Sequence, residues 1–90
     1  MYEITAIQVS TRPPSLDVIT SYYFEGRNGE HSNWINKPEA VAYVRKYPNT
    51  VYTSGAGGAT YVEVVDATPP YLRTKPNNTT NDNLLSLPIY

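Results

Sequence analysis

The sequence predicts an α+β fold: a twisted antiparallel sheet of about five strands (β-β-β-α-β-β), one helix packed on a face, and an extended C-terminal tail. Three observations carry this expectation. β-Branched and aromatic residues gather in short runs without helical spacing, as in Tyr2–Ser10 and Ala59–Asp66. Breaks rich in glycine or proline punctuate those runs. One stretch, from Asn36 to about Tyr47, carries an apolar stripe at helical spacing behind a capping residue. No internal repeat or linker divides the chain, so residues 1–90 read as a single domain.

Taken in order, Tyr2–Ser10 is the first strand, with Ile4 and Ile7 on opposite parities, which calls for a bulge or for burial on both faces. Arg12-Pro13-Pro14-Ser15 is a loop. Val18–Glu25 is the second strand, and because side chains alternate, Tyr22 and Tyr23 must face opposite ways. Gly26-Arg27-Asn28-Gly29 turns the chain into a short third strand, Glu30–Ile35, carrying His31 and Trp34. Asn36 then caps the helix, Pro38 needs no early donor, and Glu39 sits as in a capping box. Ala40, Val41, Val44 and Tyr47 form the buried stripe, and Pro48 ends the helix. Val51–Ser54 and Ala59–Asp66 are the fourth and fifth strands, joined by Gly55-Ala56-Gly57-Gly58. Pro69-Pro70 stops the ladder, Tyr71–Thr74 reads as an edge-like sixth segment, Lys75–Asn83 as polar loop and Leu84–Tyr90 as an apolar tail.

Composition narrows the function. Seven Lys and Arg against eight Asp and Glu leave a net charge of −1, without the basic excess that phosphate neutralisation in extended nucleic acid demands. The chain has no cysteine, which excludes disulfides and thiolate metal sites and permits a cytoplasmic setting. The M-Y-E-I-T start has neither the charge nor the apolar run of a signal peptide, and no stretch is long and apolar enough to span a membrane. Nine tyrosines supply much of the apolar area, and their hydroxyls want partners, so self-association is expected.

Motifs for catalysis are thin. The Gly55–Gly58 cluster leads into a strand rather than a helix, which favours a hairpin over a phosphate cradle. His31 is the one imidazole, so zinc ligation would rest almost wholly on carboxylates, and a solvent-facing strand histidine explains it more simply. No serine has a neighbouring base, and no spacing pairs two carboxylates. The expectation is a protein that is not an enzyme and needs no cofactor.

Two groupings suggest binding instead. Tyr22, Tyr23, Trp34, Tyr52, Tyr61 and Tyr71 can offer a stacking surface for a planar ligand, against the plainer reading of cross-strand packing. Arg73 between Tyr71 and Lys75 suits a stacked or bidentate phosphate contact, against the plainer reading of an edge strand kept apart by charge.

V-V-D-A-T-P-P-Y-L-R-T, followed by D-N-L-L-S-L-P, resembles a family of small bacterial and phage proteins classed as a domain of unknown function; Y-E-I-T-A-I and I-T-S-Y-Y-F are similar to its first two strands. The stretch Lys75–Asn81 departs from that pattern in being Asn/Thr-rich and longer. The family carries no assigned activity. The resemblance implies a role for Arg73, Asp82 and Asn83, with an Arg73–Asp82 pair latching the tail as the structural version of that role. Together these readings predict a small phage protein that sequesters a small anionic, nucleotide-like host signal in an interface pocket of a homo-oligomer. The expected ligand-binding residues are Arg73, Tyr71, Arg27, Trp34, Lys75, Asp82 and Asn83. The alternatives are a protein–protein module acting through an edge strand or the tail, and a small metal-dependent hydrolase.

Overall fold

β1 (Tyr2–Val9) buries both Ile4 and Ile7, which strict alternation would send to opposite faces. A bulge reconciles them: Ile4 pairs with Phe24 and Ala6 with Tyr23, which leaves Thr5 as the extra residue. The computed structural model describes residues 1–55, 58–75 and 83–90. Over these, the chain continues through a 3-10 turn at Leu16–Val18, β2 (Ile19–Gly26), β3 (Asn33–Asn36), α1 (Lys37–Lys46), β4 (Val51–Gly55), β5 (Gly58–Val65), β6 (Tyr71–Thr74) and a 3-10 turn at Asn83–Ser86.

The sheet has six strands in the order β3-β2-β1-β4-β5-β6 and is mixed, not purely antiparallel: β1 and β4 run parallel. Alternation reports a strand's faces but not its direction. Here α1 carries the chain from β3 across a face of the sheet to the far side of β1, and such a crossover returns it in the same sense. The sixth strand is full, since Tyr71–Thr74 pairs with β5 from Val62↔Thr74 to Val65↔Tyr71. The third is shorter than expected: it begins at Asn33, and His31 lies in the preceding loop. Gly26 permits that loop to close, because a Cβ there would lie 2.2 Å from the Glu30 carbonyl oxygen.

The helix starts as its sequence dictates. Asn36 Oδ1 accepts from the Glu39 amide at 3.0 Å, and Ala40, Val41 and Val44 are buried. Tyr47, expected on the same stripe, is exposed because the helix ends before it; Tyr47 serves as the C-cap and its amide donates to the Tyr43 carbonyl. Tyr43 takes its place against the sheet, packing edge-on to Tyr2 and Phe24.

The sheet curls into an open trough. The hydroxyl of fully buried Tyr22 on β2 accepts from the Leu72 amide on β6, 3.4 Å away, although the two strands are four places apart in the order. Because Lys75 N–H bonds the Tyr61 carbonyl, ladder parity turns the Leu72 N–H away from β5 and toward this hydroxyl. The inner side holds Ile4, Ile7, Tyr22, Phe24, Val51, Val62 and Leu72, with α1 and Leu84 packed onto them. β4 pairs with β1 only at Tyr2 and Glu3. Further along, Thr53 Oγ1 donates to the Ile4 carbonyl at 3.0 Å, and the tail takes over the edge: Ile7 N–H bonds Pro88 O and Tyr90 N–H bonds Ile7 O, both at 3.0 Å. The tail therefore covers an edge, as expected, but that of the central strand.

Thr53→Val keeps the side-chain volume and removes the buried donor. It should destabilise the protein by about 1 kcal/mol in urea unfolding, with an unchanged m-value.

Candidate ligand-binding face

The pleat that buries Tyr22 and Phe24 sends Ser21, Tyr23 and Glu25 to the outer face of the trough. Tyr23 lies opposite Trp34 on β3, their rings 5.3 Å apart and at 70°. Tyr90, delivered by the tail, meets the other side of Trp34 at 6.0 Å and 77°. The bulge at Thr5 turns Ala6 to this face, where its small side chain floors the space under the rings. Thr5, Ala6, Gln8, Tyr23, Trp34 and Tyr90 line a shallow depression of about 390 Å³. Trp34 is 41% exposed and Tyr90 74%. Large aromatic rings left this open form a stacking platform, and the Gln8 amide and Thr5 hydroxyl at the floor supply hydrogen-bonding groups.

Along the same face stands Arg27. Its Nε and Nη2 bind Glu3 Oε1 at 2.9 and 2.5 Å, and its Nη1 binds Glu25 Oε1 at 2.8 Å. These contacts raise its already high pKa, the Glu3 hydrogen bond foremost and that to Tyr52 next. Two carboxylates thus outweigh one guanidinium, so the group is locally acidic. Arg73, on β6, faces Glu63 on β5, with Nε and Nη2 each 2.7 Å from Glu63 Oε2. Tyr71 opens the same strand opposite Val65. Lys75 Nζ binds Asn49 Oδ1, in the turn after α1.

The residues named from the sequence therefore separate into two groups. Trp34 sits on one terminal strand with Arg27 in the turn that leads to it; Tyr71, Arg73 and Lys75 belong to the other terminal strand and its exit. Within one chain they do not converge: Trp34 lines the depression, and Arg27, Tyr71, Arg73 and Lys75 do not. Asp82, and with it the Arg73–Asp82 latch, lies outside the described residues; Asn83 opens the last 3-10 turn. Sequence reading passed over Thr5, Ala6 and Gln8. The signal available was the broken alternation of Ile4 and Ile7, which implies the bulge that brings Ala6 to the outside. Among the described residues no three His, Asp or Glu side chains gather as a metal site.

Such a trough, with one covering helix over a mixed sheet, defines a small α+β domain. The chain belongs to the family described as protein of unknown function (DUF3892), whose model matches residues 3–88. No curated protein and no solved structure matches it.

Exposed cross-strand pairs contribute little to stability. Arg73→Ala should change the unfolding free energy by less than about 1 kcal/mol, read by urea titration.

Proposed function

We propose that the protein is a non-enzymatic binding protein that seats a planar, nucleotide-like ligand on the outer face, base-first against Tyr23, Trp34 and Tyr90. The observation that carries this reading is the depression bounded by those three rings and open to solvent. Base–aromatic stacking of this kind contributes about 1–3 kcal/mol per base. The biological role it suits is sequestration of a host signal by a small phage protein in the cytoplasm.

The charges refine the ligand. Arg27 and Arg73 each donate twice to a carboxylate, so a phosphate would have to displace an acid that already holds the fork. Recognition accordingly rests on the ring, and the phosphates remain in solvent.

A second reading is favoured by β3. It is a four-residue terminal strand paired on one side by β2, and it carries the exposed Trp34. Addition of a strand from a second copy would make a homo-oligomer through this edge.

Trp34 is the one tryptophan, so its fluorescence reports the depression directly. Adenosine and AMP should both quench it saturably, with affinities within about threefold of each other because Arg27, on the same face, is already held by Glu3 and Glu25. Tyr90→Ala should weaken both by roughly tenfold. No saturable quenching by any base, nucleoside or nucleotide, together with a bare mass in native mass spectrometry, overturns the ligand reading. The same spectra give the subunit number, and a monomer at every concentration overturns the second.

A further inference from the structure

The inner side of the trough has a mouth between the start of β3 and the first turns of α1, on the opposite face of the sheet from Trp34. Tyr2, Phe24 and Tyr43 meet there. Tyr2 and Tyr43 stand at 82° with centroids 5.6 Å apart; Phe24 and Tyr43 also stand at 82°, 6.1 Å apart; Tyr2 and Phe24 are 5.5 Å apart at 44°. The corner beside an edge-to-face pair is bounded by a face of each ring, and ring faces carry the negative part of the quadrupole. Together with His31, Asn33, Ile35 and Glu39, these rings line an open cleft of about 170 Å³. For scale, an apolar cavity of about 150 Å³ holds a benzene molecule.

Charge distinguishes this cleft from ordinary aromatic packing. Glu3 and Glu25 are held by Arg27, Glu63 by Arg73, Asp66 by Arg45 and Glu30 by the N-terminal ammonium; Asp17 accepts from Ser15. Glu39 alone among the described side-chain carboxylates has no such partner, and it lines the cleft. Its place in the first turn of α1 suits the helix dipole. That explains the residue, but not the rings opposite it. Burial foremost, then the neighbouring Tyr2, push the Tyr43 hydroxyl pKa up, against a hydrogen bond with Thr50 that lowers it.

We infer that this cleft is a binding site for a small organic cation, a methylated ammonium headgroup held by cation–π contact with Tyr2 and Tyr43, backed by the buried Phe24, and by the charge of Glu39. Aromatic faces with one carboxylate at the mouth are the chemistry that recognises an ammonium with no hydrogen-bond donors. Such a group is large enough to fill the corner and too weakly hydrated to resist desolvation. A phosphate or carboxylate ligand is disfavoured by both features. The site is independent of the stacking platform on the outer face.

The test titrates the whole chain with choline and, in parallel, with 3,3-dimethylbutan-1-ol, its uncharged isostere, following the aromatic ring signals by NMR. Choline should shift Tyr2, Phe24 and Tyr43 saturably at millimolar concentration and leave the Trp34 indole unmoved, while the isostere binds roughly tenfold more weakly. Glu39→Gln should weaken choline roughly fivefold without changing the isostere. Tyr43→Phe keeps the ring and should retain binding; Tyr43→Leu should lose it. Equal binding of choline and isostere, shifts confined to Trp34, or no saturable shift in the folded protein each overturn the inference. Because the readout rings differ from Trp34, failure here and failure of the stacking platform are separately visible.

Discussion

The structure depends on how β1 is shared. Among the described residues it is the one strand with three partners: β2 along one edge, and β4 and then the tail along the other. That division exists because the Thr5 bulge lets Ile4 and Ile7 both point inward while the strand bends away from β4. Thr53 satisfies the Ile4 carbonyl near the point of divergence, and the Pro88–Tyr90 backbone pairs with Ile7 beyond it. Core, crossover and tail therefore meet at a single strand. The same bulge prepares the outer face, since it turns Ala6 outward beneath the rings.

Local features of this fold were readable in the sequence, and features set at long range were not. The helix cap was legible because Asn36 and Glu39 interact three residues apart, and the stop was legible at Pro48. Strand faces were legible where alternation held, which set Tyr22 and Tyr23 on opposite faces; which of them lies inward is decided by the face that α1 covers. The direction of β4 was not, since it is decided by where α1 lays the chain down, and composition says nothing about that. Spacing puts Tyr47 on the buried stripe because the pattern continues past Lys46, where the helix stops.

The candidate site divides in the same way. Trp34 and the tyrosines could be named as an aromatic group from composition; Trp34 stands between Tyr23 and Tyr90, whereas Tyr22 is fully buried. Arg27 and Arg73 were read as cations available to a ligand. Their carboxylate partners, Glu3 and Glu63, come from neighbouring strands, and pairings of that kind follow from register, which the sequence does not display. Tyr90 reaches Trp34 only because the last residues return to the middle of the sheet. The inner aromatic corner was equally hidden: Tyr2, Phe24 and Tyr43 come from three separate elements, and only packing makes them neighbours.

The hydroxyl of Tyr22 has a consequence for assembly. By occupying the outward amide of Leu72, it removes one donor from the β6 end of the sheet, while β3 at the other end pairs with β2 on one side. A sheet with one usable end can join a second copy of itself only about a two-fold axis, after which no growing end remains. Head-to-tail stacking into a filament needs both ends. Where copies pair through β3 as proposed, a donor withheld at β6 favours a closed pair over a filament.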